Sequence, residues 1–74
     1  MANRLFRAIM ERLQEKLKEL RSKKRWTQED LAREVNVSLS TVQRWEKTGG
    51  EPTRLARREL KRVFRKAGIA LEDW

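Results

Sequence analysis

The sequence predicts an all-α fold: a compact domain of four to five helices with a tightly joined helix pair at its centre. Three observations carry that expectation. Apolar residues recur at helical spacing along most of the chain. The strongest breakers, glycine and proline, first occur at Gly49 and Pro52. Weaker punctuation at Arg25-Trp26-Thr27 and Asn36-Val37-Ser38 cuts the remainder into segments of helical length.

In the first segment Leu5, Phe6, Ile9, Met10, Leu13, Leu17 and Leu20 fall within an arc of about 140° on a helical wheel, which makes one long amphipathic helix. On its outer face Arg7 with Glu11, Glu15 with Lys18 and Glu19 with Lys23 stand at pairing distance, worth at most about 0.2–0.5 kcal/mol each. The second helix starts at Thr27, because Thr27-Gln28-Glu29-Asp30 places a hydroxyl three residues before an acid, close to a capping box. Its buried stripe is Leu31, Ala32 and Val35. Asn36 stands where the chain leaves that helix, and Asn takes the left-handed conformation more readily than other non-glycine residues.

Ser38 is the next N-cap. The third helix, about 39–47, sets Val42 and Trp45 on one side and Ser40, Gln43, Arg44 and Lys47 on the other. Trp26 and Trp45 both read as core. The fourth helix, 53–67, turns Ala56, Leu60, Val63, Phe64 and Ala67 inward and carries seven Lys or Arg between Arg54 and Lys66 against Glu59 alone. Gly68 ends it. The whole chain 1–74 reads as a single domain: 1–12 extend the first helix, 27–47 form the central pair, 53–67 the basic helix and 68–74 a tail. The apolar stripe of 1–12 suits extra core or dimerisation better than a membrane. Trp74 reads either as a frayed end or, with Leu71, as a small dimer patch.

Composition narrows the function. The 74 residues hold 19 Lys or Arg, 11 Asp or Glu, no Cys and no His, for a formal charge of +8. Without thiol or imidazole there is no ordinary zinc or haem ligand set, no disulfide, and no Cys-His or Ser-His nucleophile pair. No catalytic residue, metal or other cofactor is expected. A chain this short has little room for a deep substrate pocket. Its apolar stretches are too short to span a membrane, and the N-terminal segment is too charged for a signal peptide. A cytoplasmic protein is expected. High charge with low hydrophobicity can also mean disorder, but the helical spacing and three Trp argue for a folded domain.

Two short helices joined by a turn of about three residues have the spacing of a DNA-binding helix-turn-helix. Over about residues 13–53 the sequence resembles the Xre family, that of phage Cro and the lambdoid repressors. The resemblance rests on Leu17-x-x-Leu20-Arg21, Trp26-Thr27-Gln28-x-x-Leu31-Ala32, Val37-Ser38-x-Ser40-Thr41-Val42-x-x-Trp45-Glu46 and Pro52. It implies a lambda-repressor-like domain in which Leu39, Ser40, Gln43 and Arg44 meet base edges in the major groove. It also implies phosphate contacts from Gln28, which supports the reading helix as well, and from Lys47 and Arg54. Arg25, Thr27, Ser38 and Thr41 complete the expected phosphate-binding set. Arg21 and Glu46 match a salt bridge between the first and third helices, and are read as structural. Two departures stand out: Asn36 occupies a turn position that is usually Gly, and Thr48 stands where a Gly often ends the reading helix, with Gly49 one residue later. The fifth helix of relatives is merged into the fourth or missing.

Chemistry points the same way. Arg44 can donate two parallel hydrogen bonds to guanine O6 and N7, and Gln43 can make the matching contact to adenine, each worth about 1–3 kcal/mol of discrimination. Leu39 can touch a thymine methyl or pack at the helix start. Lys and Arg on phosphates release counterions, which makes binding fall steeply with salt.

The leading expectation is a sequence-specific regulator of double-stranded DNA, a repressor occupying a palindromic operator as a homodimer. An alternative is the antitoxin of a toxin–antitoxin pair, which would bind a protein toxin and autoregulate its operon. A further alternative is a basic module that binds RNA or a membrane surface through the fourth helix; its Arg57 to Lys66 run reads equally well as a solvated face. An excisionase-like winged relative fits less well, since no strand-forming wing follows Pro52.

Overall fold

A 21-residue stretch without Gly or Pro, carrying leucines at 13, 17 and 20, continues as helix for its whole length, α1 (Arg4–Lys24). It is followed by α2 (Gln28–Glu34), α3 (Leu39–Lys47) and α4 (Arg54–Lys66). The structure, a computed structural model, describes the backbone of residues 4–70 and the side chains of residues 13–70. The side chains of Leu5, Phe6, Ile9 and Met10, the Arg7 with Glu11 pairing, and Leu71 and Trp74 therefore lie outside the described residues. Among the described residues there are four helices, no strand and no fifth helix, an all-α fold.

Leu13, Leu17 and Leu20 of α1 meet Leu31 and Ala32 of α2, Val42 and Trp45 of α3, and Leu60, Val63 and Phe64 of α4 in one buried cluster. Each leucine, valine or phenylalanine of the cluster contributes about 1.5–3 kcal/mol by leaving water. On the outer face of α1, Glu19 pairs with Lys16 at 3.5 Å and not with Lys23. Lys16 reaches it from one turn towards the N-terminus.

Three helices end in the same way, by a local device that positions everything after it. At Arg25 (φ 58°), Asn36 (φ 59°) and Gly68 (φ 73°) the chain turns left-handed. The next residue then donates back into the last helical turn: Trp26 N–H to Arg21 O (2.8 Å), Val37 N–H to Ala32 O (2.9 Å) and Ile69 N–H to Phe64 O (3.0 Å). With the bonds of shorter sequence span from Arg25 N–H to Ser22 O, Asn36 N–H to Arg33 O and Gly68 N–H to Arg65 O, these are three Schellman motifs. Each is followed by an apolar residue that seals the turn against the core: Trp26 and Val37 half-buried, Ile69 buried. The tail thus begins docked on the bundle.

This geometry corrects the reading of Trp26 as core. Trp45 is 1% exposed, but Trp26 sits just past the end of α1, along the rim of the cluster, with Lys24 Nζ 6.0 Å from its ring centroid.

Candidate nucleic-acid interface

The α2–turn–α3 unit is fixed at its ends by side-chain caps. Asp30 N–H donates to Thr27 Oγ1 (3.0 Å) and Thr27 N–H donates to Asp30 Oδ2 (2.9 Å), a reciprocal capping box. That backbone bond holds the Asp30 carboxyl below the ordinary aspartate value, reinforced by the Thr27 hydroxyl, while slight desolvation opposes it and Arg33 adds a smaller pull downward. Asn36 then reverses the chain. Thr41 N–H donates to Ser38 Oγ (3.2 Å), which starts α3.

The long-range orientation of α3 comes from an ion pair. Arg21 Nε and Nη2 donate to Glu46 Oε2 (2.7 Å) and Oε1 (2.9 Å), a bidentate contact between α1 and α3. The Glu46 side chain is only 3% exposed, and Gln28 Nε2 adds a bond to its Oε1 at 3.3 Å. Arg21 Nη1 also reaches Trp26 O at 3.4 Å. One carboxylate therefore ties the last turns of α1 and α3 to the first turn of α2.

With Val42, Trp45 and Glu46 buried, the opposite face of α3 presents Leu39 (39% exposed), Ser40, Gln43, Arg44 and Lys47 to solvent. Apart from Leu39 these are hydrogen-bonding side chains along one helix face, an arrangement that can meet base edges in a major groove. The Arg44 stem lies along Gly50: a Cβ built there would stand 3.2 Å from its Nε and 3.3 Å from its Cγ. Thr48 Oγ1 donates to Arg44 O (3.0 Å) and Gly49 turns left-handed (φ 71°), closing the helix.

The phosphate candidates differ in exposure. Arg25, Thr27, Ser38, Lys47 and Arg54 are exposed. Gln28 and Thr41 are half-buried and already engaged, Gln28 on Glu46 and the Thr41 hydroxyl on Ser38 Oγ at 2.7 Å. Ser38 Oγ also lies 3.1 Å from Ser40 Oγ. Sequence reasoning missed two residues. Arg62 Nη2 donates to Glu34 O (3.2 Å) while its guanidinium also holds Glu59 (3.1 Å), so α4 satisfies a carbonyl at the end of α2. No local signal marks it. Gly50 was read only as punctuation, although it leaves room for the Arg44 stem.

A family model described as helix-turn-helix matches residues 17–56, just over half of the chain. Neither the curated proteins nor the solved structures contain a match. Among the described residues no helix is long and apolar enough to cross a membrane.

Proposed function

The chain belongs to the Xre and lambda-repressor-like family of helix-turn-helix domains, and from that premise we propose that it is a repressor that reads a palindromic operator through α3. Family membership makes it a DNA-binding regulator. Base reading is the finer step. The observation that carries it is the division of α3 into a face locked to α1 and α2 through Glu46 and a face of exposed Leu39, Ser40, Gln43 and Arg44. Arg44 is assigned to guanine, Gln43 to adenine, and Leu39 with Ser40 to apolar or weaker contacts at the helix start. Arg25, Thr27, Ser38, Lys47 and Arg54, all exposed, are assigned to phosphates, which position the helix without specifying sequence. Gln28 acts on phosphate through the second N–H of its side-chain amide, the first being held by Glu46, and Thr41 through its hydroxyl proton, with Ser38 donating in the bond between them.

Two copies bound to one duplex place their reading helices about 34 Å apart, one helical turn, which is why the operator is expected to be two-fold symmetric. The test is selection from a randomised duplex pool at about 150 mM salt, where the non-specific term is reduced. Wild type enriches a symmetric motif, and Arg44→Ala relaxes one position in each half-site by about 1–3 kcal/mol. A pool that stays random, or an unchanged motif with Arg44→Ala, would overturn base reading and redirect attention to a protein partner such as a toxin.

A further inference from the structure

The reading face leaves unexplained the charge on the far side of α4. Arg58, Lys61 and Arg65 recur at i, i+3 and i+7, a straight stripe about 10 Å long on the side opposite the buried Leu60, Val63 and Phe64. Among the described residues no carboxylate lies within 4 Å of any of the three. The one acid of the helix, Glu59, stands to the side and is held by Arg62. Neighbouring like charges at these spacings oppose helix formation. The outer face of α1 mixes signs and forms the Lys16–Glu19 pair, so self-repulsion on α4 is not a general feature of this surface. An anionic partner removes it.

We propose that this stripe is a second binding surface, for the phosphate backbone of a duplex other than the one held by α3, so that one copy of the chain bridges two DNA segments. The inference rests on the reading that α3 holds the first duplex. Its chemistry selects the occupant. A stripe of cations with no exposed aromatic side chain on α4 contacts backbone rather than stacked single-strand bases, since Phe64 is buried. The apolar face of α4 is spent in the core, which leaves Leu55 alone to insert into a lipid surface, too little for an amphipathic anchor. Leu55, 69% exposed, is the only large apolar residue exposed on the helix, too little for the anchored centre of a protein interface. Val42 and Trp45 of α3 and Leu60, Val63 and Phe64 of α4 bury into the same cluster, so the polar faces of the two helices point out of the core in different directions.

The test is capture of a fluorescent scrambled 30-base-pair duplex by an immobilised duplex already loaded with protein, at about 100 mM salt. The immobilised duplex is the selected motif, or a second scrambled sequence if selection yields none. Wild type captures the labelled duplex. Arg58→Gln/Lys61→Gln/Arg65→Gln loses capture at least tenfold while binding the immobilised duplex within about twofold of wild type and with the same salt slope. Gln43→Ala/Arg44→Ala loses motif preference but keeps capture, so failure of base reading and failure of bridging give different patterns. Should the triple variant not fold by circular dichroism, the double variant Lys61→Gln/Arg65→Gln replaces it, and the charge-conserving Arg58→Lys/Arg65→Lys must retain capture. Three results overturn the proposal: undiminished capture by the neutralised variant; a salt slope on the immobilised duplex smaller by about 2.7, which puts the stripe on the same DNA; or at least tenfold preference for a labelled RNA hairpin or a phosphatidylserine vesicle over the DNA.

Discussion

Replacing Glu46 by Ala tests how the reading helix is held. The substitution leaves Arg21 with its guanidinium between α1 and α3 and without the two bonds of 2.7 and 2.9 Å, and it removes the acceptor of Gln28 Nε2. Breaking a fully buried pair by deleting one partner costs about 3–5 kcal/mol, because a buried charge is left unpaired. Here the Arg21 side chain is 25% exposed, and water takes over part of the lost interaction. About 2–3 kcal/mol is therefore expected. A core of this size rarely supplies more than about 3–5 kcal/mol in total, so the variant should sit close to unfolding at room temperature. At about 4–8 °C per kcal/mol the melting midpoint falls by about 10–20 °C. Urea titration and thermal melting followed by circular dichroism measure both quantities. The double variant Arg21→Met/Glu46→Leu removes both charges and should recover most of the loss, since a buried pair and its apolar replacement are often equal in stability. A Glu46→Ala variant within about 0.5 kcal/mol of wild type, or a double variant no more stable than the worse single one, would refute the reasoning.

Arg25 is held left-handed at φ 58°, so Arg25→Gly should stabilise the domain by about 0.5 kcal/mol while lowering the salt slope of DNA binding by about 0.9; a loss of stability would show that the side chain packs rather than strains. The Asp30 carboxyl is held low by the Thr27 N–H, so its stabilising contribution is complete above the ordinary value of 3.8 and disappears as the pH falls through the lower folded value. Asp30→Asn should accordingly be less stable than wild type at neutral pH and equal to it in acid, and urea titrations across about pH 2 to 6 that show a constant difference would count against the capping box. Gly50→Ala presses a methyl group on the flexible Arg44 side chain, which predicts a stability change within about 0.5 kcal/mol but an altered base preference at the position that Arg44→Ala relaxes; an unchanged selected motif would show that Arg44 reads independently of Gly50.

Much of this protein is determined by interactions that close within four or five residues, and those were legible in the chain itself. The Thr27 and Ser38 caps, the reversal at Asn36, the stop at Gly68 and the buried stripes of α1 and α4 depend on hydrogen bonds to the next turn and on helical period alone. Arg25 follows the same local rule, a left-handed residue before an apolar one, yet it was not anticipated, because Arg has no intrinsic preference for that conformation and only the closing of Trp26 onto the core imposes it. The ties between helices are of another kind. Arg21 and Glu46 are 25 residues apart, Arg62 and Glu34 28 apart, and nothing in either neighbourhood selects the partner; the first pair entered the sequence reading only through the family resemblance. Their distances are set by how α3 and α4 pack around the leucines of α1. Periodicity specifies which face of a helix is buried, whereas the angle at which that face meets its neighbours depends on the combined shapes of Leu13, Leu17, Leu20, Trp45 and Phe64, which come together only in the folded core.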